Sequence, residues 1–151
     1  MKNKLVSIII NCFNGEKFLS KTLESVLDQT YKNFEVIFVD NCSTDKSAEI
    51  FKKIKDKRFK YFKTKKKIKL YRARNFALKR IKGEFVSFLD ADDWWDKKFL
   101  TSRNLFFSSS NEYGFSFSNC FHYYENKKKF EVFYKGKLPS GLILDNLLKY
   151  Y

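Results

Sequence analysis

The chain is poor in the residues that build nitrogen-and-sulfur chemistry. It has one histidine, His122, and three cysteines, Cys12, Cys42 and Cys120, in no CxxC or Cys/His spacing. That shortage argues against a zinc-type centre, and with no partner evident for His122, a hydrogen-bonded strand position is its expected role rather than a catalytic one. The odd cysteine count reads as small buried or half-buried side chains in a reducing cytoplasm; a Cys12–Cys42 disulfide is the minority alternative. Long apolar runs are missing too. Leu5–Ile10 is too short for a secretory h-region, and nothing approaches the ~18 apolar residues of a membrane span. A cytoplasmic protein is expected, with peripheral contact with an anionic membrane left open. Neither an internal repeat nor a low-complexity linker is evident.

Acidic residues are the minority charge, 17 Asp and Glu against 31 Lys and Arg. Much of the excess lies in Lys52–Lys69, where cations alternate with Phe59, Tyr61, Phe62 and Ile68, a pattern that admits phosphate, nucleic acid or an acidic lipid surface as partner. Lysine far outnumbers arginine, and Asn, Phe, Ile and Tyr are frequent, as in AT-rich coding. Solvated surface is therefore favoured over specific nucleic-acid binding. At 151 residues and 44% hydrophobic content the chain can bury one core, so a single domain over residues 1–151 is expected.

What is present is an α/β pattern. Leu5–Ile10 and Glu35–Asp40 are nearly continuous apolar runs, as in strands buried on both faces of a parallel sheet. Between them, Phe18, Leu19, Leu23, Val26 and Leu27 fall on one helical face of Glu16–Gln29, completing a βαβ unit. The spacing predicts a helix from Ser43 or Thr44 to about Lys55, a strand at Phe59–Phe62, a helix over Tyr71–Ile81 and a strand at Glu84–Leu89. A helix capped by Asp96, a strand at Gly114–Ser118, a hairpin over Phe121–Tyr134 and a short helix over Leu142–Tyr150 follow.

Ligands of such open sheets sit outside the carboxyl ends of the strands. Three polar loops occur there: Asn11–Asn14, Asp40–Asp45 and Asp90–Asp93. Each alone is as readily a turn or cap, but the convergence of three favours a site. Three carboxylates within Asp90-Ala91-Asp92-Asp93 call for a neutralising cation, and a divalent metal shared with phosphate suits oxygen-only ligands.

Val6–Asn14, Ser25–Tyr31, Glu35–Asp45, Ala73-Arg74-Asn75, Gly83-Glu84-Phe85 and Asp90–Asp93, in this order and at compatible spacing, resemble glycosyltransferase family 2. The resemblance covers residues 5 to about 100. It implies a GT-A fold, a Rossmann-like three-layer α/β/α sandwich with a mainly parallel sheet, and a nucleotide-diphosphate sugar donor. On this likeness the DxD motif falls on Asp90 and Asp92: Asp92 holds Mg2+ or Mn2+, Asp90 faces the ribose or assists the metal, and Ala91 and Asn11 lie beside the donor. Asp93 is read equally as a helix cap or as support behind Asp92. Phe13 replaces the usual Tyr and would stack on the base, Asp40 and Asn41 meet the base, and Arg74 reaches the nucleotide.

Departures from the pattern include Asn11 in place of Pro, Asn41 in place of an acid and Cys42 in place of Gly. Trp95 is read as core packing, while Trp94 is a candidate floor for the sugar. The resemblance implies an inverting enzyme of bacterial-type polysaccharide synthesis acting on a glycan or lipid-linked acceptor. No segment matches the one that carries the family's catalytic base, so no catalytic residue is assigned and a C-terminally truncated family member is expected. Two other readings stand beside it: a non-catalytic subunit that binds nucleotide sugar, and a basic module for nucleic acid or anionic membrane. The carboxylate cluster makes nucleic acid the less favoured partner.

Overall fold

The two most apolar runs form the centre of the fold. In the computed structural model, which describes residues 3–109, 112–141 and 143, β1 (Val6–Cys12) is buried at all but one residue and β2 (Phe34–Asp40) throughout. They pair in parallel, as the absence of polar alternation requires. β3 (Phe59–Lys63) adds beside β2 and β4 (Phe85–Asp90) beside β1, giving a parallel sheet in the order β3-β2-β1-β4.

Side-chain alternation divides the core between two faces. Ile8, Ile10, Cys12, Val36 and Phe38 pack against α1 (Leu19–Leu27), α2 (Ser47–Lys52) and α4 (Phe99–Ser109) through Leu19, Leu23, Val26, Phe51 and Leu100. Ile9, Ile37 and Val39 face α3 (Leu70–Leu78), whose Ala73 and Ala77 are small enough to let the helix lie close. The result is the expected three layers. Phe59 and Tyr61 join the first face, and Phe62 and Ile68 the second. The aromatics interleaved with lysines in Lys52–Lys69 therefore pack on the core from both faces of β3, while Lys60 is half-buried and only Lys63 of the strand is exposed.

At the amino ends of the strands Glu35 accepts from Ser7 Oγ (2.7 Å), from Lys60 Nζ (2.6 Å) and from the Lys82 N–H, while the Gly83 N–H donates to Ser7 Oγ (2.9 Å). Burial pushes the Glu35 carboxyl up, but these donors outweigh it and hold the group below the ordinary carboxylate range. A Cβ at residue 83 would lie 2.7 Å from Leu5 O and Ser7 N, so the approach of β4 to β1 requires glycine there.

Several elements differ from expectation. α1 starts at Leu19, because residues 15–18 form a turn in which the Gly15 carbonyl accepts from the Phe18 and Leu19 N–H groups. α2 starts at Ser47; Ser43 and Thr44 do not cap it, since Ser43 Oγ accepts from the Asn14 N–H instead. Gly114–Ser118 is not a strand: no neighbouring strand pairs with it among the described residues, and Phe115 and Phe117 stay exposed. The hairpin is present as β5 (Phe121–Tyr124) and β6 (Lys129–Val132), paired antiparallel. The helix expected over Leu142–Tyr150 lies outside the described residues. By contacts the chain groups into two compact units, Met1–Asn111 with the parallel sheet and Glu112–Tyr151 with the hairpin. All three cysteines are free; Cys12 is buried and Cys42 half-buried, whereas Cys120, expected to be at least partly covered, is exposed.

Candidate functional site

Sheet order reverses between β1 and β4, because the chain runs outward from β1 through β2 and β3 and then returns to the other side of β1. That is a topological switch point, the place outside the carboxyl ends of the strands where open α/β sheets bind ligands. Register places Cys12 beside Asp40 and Asn11 beside Asp90 at that rim, so the three polar loops of the sequence do converge.

The first two loops are bound tightly to each other. The Asn41 N–H donates to Cys12 O (2.7 Å), the Asn14 N–H to Ser43 Oγ (3.1 Å), the Gly15 N–H to Ser47 Oγ (2.9 Å) and the Thr44 N–H to Asn14 Oδ1 (2.9 Å). The Glu16 N–H donates to the Asp45 carboxylate and the Lys46 N–H returns to the Glu16 carboxylate, both at 2.9 Å. Asp40 is fully buried within this lattice. Its Oδ1 accepts from the Ser43 N–H (2.7 Å) and its Oδ2 from Tyr61 Oη; burial, and then this carboxylate, raise the phenol above its ordinary pKa. Asn41 is equally occupied: its Nδ2 donates to Ile68 O (2.7 Å) and its Oδ1 accepts from the Ile68 N–H (2.9 Å). Both residues shape the floor of the crevice, with their polar atoms turned into protein.

The third loop is open. The Asp93 N–H donates to Asp90 O (3.1 Å), closing a turn that leaves the Asp92 side chain in solvent. The Ala91 carbonyl accepts from Thr22 Oγ1 (2.9 Å), which fastens the turn to α1. Arg74, from α3, donates to Asp90 Oδ1 at 3.1 Å, and both side chains retain access to water. Beside this pair two polar atoms are buried with no hydrogen-bond partner among the described residues, the acceptor Asn11 Oδ1 and the donor Arg74 Nε. Buried polar groups are ordinarily satisfied. An unpaired acceptor and an unpaired donor at one strand end suit a ligand that carries both a donor or cation and an anionic oxygen.

Phe13 stands at the rim, 42% exposed, with Lys67 Nζ 3.5 Å above its ring. Nothing in the sequence marked Lys67 among its neighbours; the contact follows from the Asn41–Ile68 clamp, which brings the loop before α3 over the first loop. Trp95 stacks on Phe99 (centroids 4.3 Å apart) and packs against the core, as expected. Trp94 is half-buried, with Lys21 Nζ 3.4 Å from the ring centroid. Cys42 has φ +66°, so the position does need the conformation that favours glycine. His122 lies on β5 against Phe133 and Tyr124, remote in sequence from every residue of the rim.

A profile of the family described as glycosyl transferase family 2 matches residues 7–137. An Escherichia coli protein named as UDP-Glc:alpha-D-GlcNAc-diphosphoundecaprenol beta-1,3-glucosyltransferase WfaP is 43% identical over 117 residues, which are 73% of this chain and 47% of that protein. The putative teichuronic acid biosynthesis glycosyltransferase TuaG of Bacillus subtilis is 33% identical over 147 residues, 96% of this chain and 57% of its own length. Among solved structures, S. aureus TarS in complex with UDP-GlcNAc superposes with a TM-score of 0.65 at 34% identity, covering 69% of this chain and 31% of that one. The chain thus spans about half the length of these two curated relatives. The layered parallel sheet is the GT-A fold, and the chain belongs to glycosyl transferase family 2.

Proposed function

We propose that this chain supplies the donor-binding part of a glycosyltransferase of bacterial glycan synthesis that uses a nucleotide-diphosphate sugar, with UDP as the nucleotide. The observation that carries the reading is the rim at the switch point, where exposed Asp92 and the Asp90–Arg74 pair adjoin the unpaired Asn11 Oδ1 and Arg74 Nε. The names of WfaP and TarS support UDP, since one specifies UDP-Glc and the other was solved with UDP-GlcNAc. The family match runs through both compact units, which supports reading residues 1–151 as parts of one GT-A domain.

No group of three His, Cys, Asp or Glu among the described residues is placed to hold a metal ion. Asp90 and Asp92 offer carboxylate oxygens and Asn11 an unpaired carbonyl oxygen, a set too small for an all-protein cage but suited to Mg2+ or Mn2+ arriving with phosphates. Asp92, with Asp90 beside it, would hold such a cation, which would supply charge stabilisation to a departing nucleoside diphosphate. Arg74 brings a permanent, planar charge to the same oxygens and orients Asp90. Phe13 offers its ring edge and one face to the base, and the Asp40 and Asn41 lattice fixes the loop on which it rides. An inverting displacement on a glycan or lipid-linked acceptor accords with the family; the base that would take the acceptor proton is not assigned to any residue here.

Titration calorimetry tests this. UDP binds in the presence of Mn2+, and Asp92→Ala weakens it on the order of a hundredfold, a loss of about 3 kcal/mol. Failure of UDP, GDP and their sugars to bind with either metal, or an unchanged affinity in the Asp92→Ala protein, overturns the reading.

A further inference from the structure

From Lys57 to Gly83 the sequence holds thirteen Lys and Arg and no Asp or Glu. The fold spends the aromatics of this stretch on the core, with one exception. Between Lys65 and Arg72 the exposed side chains are Lys65, Lys66, Lys67, Lys69 and Arg72, and set among them are two large apolar groups, Leu70 at 50% and Tyr71 at 55% exposure. The strip cannot turn these groups inward. The Thr64 N–H is bonded to Asp40 O (3.0 Å), both backbone groups of Ile68 are clamped by the Asn41 amide, and Ile68 itself packs on the α3 face of the sheet.

We propose that Lys65–Arg72 is a docking surface for an anionic lipid bilayer. The lysines and Arg72 meet the headgroup charge while Leu70 and Tyr71 enter the boundary between headgroups and acyl chains. Each cation near an anionic leaflet contributes attraction worth about a fivefold change in partition, and an aliphatic side chain beside a tyrosine suits a boundary that is apolar on one side and wet on the other. No carboxylate within the stretch opposes the attraction. A nucleic acid would use the cations but offers nothing to Leu70, and Phe13, an exposed ring in contact with the strip, already carries Lys67 on one face. Arg74 follows Leu70 by one helical turn and Phe13 lies under Lys67, so docking through this strip holds the carboxyl rim of the sheet near the bilayer. The surface stands independently of the donor-site reading; if both hold, the donor lies where a lipid-linked acceptor is met.

Co-sedimentation of the full chain with phosphatidylcholine vesicles, with and without phosphatidylglycerol, decides it. The protein is expected to pellet only with phosphatidylglycerol present and to be released as salt rises. Substituting Lys65→Gln, Lys66→Gln and Lys69→Gln together lowers partition at least about tenfold, and Leu70→Ser with Tyr71→Ser weakens binding while preserving its salt dependence. Both variants keep the wild-type melting temperature and UDP titration, which separates loss of docking from loss of fold. Equal pelleting with phosphatidylcholine alone, unchanged partition in both variants, or capture by an RNA oligonucleotide that vesicles do not displace overturns the proposal. An absence of UDP binding in a protein that still docks counts against the donor reading alone.

Discussion

Asp40 and Asp90 occupy equivalent places: each ends a parallel strand that flanks β1, and each opens a loop rich in Asp, Asn or Ser. Their environments are opposite. Asp40 is fully buried with both oxygens bonded to protein, whereas the Asp90 side chain is 56% exposed with Arg74 beside it. The cause is strand position. β2 has β1 on one side and β3 on the other, so Tyr61 from β3 and Ser43 from the following turn close over Asp40. β4 has only β1 as neighbour among the described residues, and its side chains alternate between covered and exposed. One carboxylate holds the loops in place, and the other stays open to water beside Arg74.

The comparison is broken most severely at Asp40. Asp40→Ala leaves the Ser43 N–H and the Tyr61 hydroxyl without their buried partner, at an expected cost of about 3 kcal/mol, read as a lower midpoint in urea denaturation. Lys63, 3.9 Å from Asp40 but half exposed, cannot compensate. Asp92→Ala, by contrast, should unfold at the wild-type midpoint while losing UDP binding. Equal destabilisation by the two substitutions would refute the division of roles drawn between the two strand ends.

Much of this was legible in the sequence. The apolar runs at Leu5–Ile10 and Glu35–Asp40 announce strands covered on both faces, and the polar residues at their ends mark the rim where the loops converge. What stayed hidden was which polar residues are consumed internally. Asp40, Asn41 and Asp90 read alike as residues of polar loops, and only the third dimension shows that Ile68 claims the Asn41 amide. The start of α2 at Ser47 is hidden for the same reason, since Ser43 bonds across to Asn14, an interaction between loops twenty-nine residues apart that no local pattern encodes. The alternation of Gly114–Ser118 suggested a strand, but a strand exists only with a neighbour to pair with.

Asn41 sharpens the comparison at a smaller cost. In Asn41→Asp the atom that donates to Ile68 O becomes a carboxylate oxygen facing a carbonyl, so one bond becomes a repulsion while the acceptor side of the clamp survives. A loss of about 2 kcal/mol is expected, together with faster amide hydrogen exchange at Thr64 and Ile68. Wild-type melting and exchange in this variant would mean that the clamp does not form in solution, and that Asn41 is free to meet a nucleotide base.

Cys42 should give the smallest effect, because backbone strain and chain entropy oppose each other there at similar size. At φ +66° a side chain bearing a Cβ carries strain of roughly 1–2 kcal/mol. Replacement by glycine removes that strain but increases the freedom of the unfolded chain, which costs about 0.4–1 kcal/mol. Strain relief equals or outweighs the entropy, so Cys42→Gly is expected to stabilise the protein by between about 0 and 1.6 kcal/mol, a rise in melting temperature of at most several degrees. The neighbouring bonds made by Ser43 and Thr44 use atoms outside the substituted side chain, so UDP affinity should not move. Destabilisation would show that the half-buried thiol contributes more by packing than the left-handed backbone costs, and that the family's usual glycine is not the better residue in this loop.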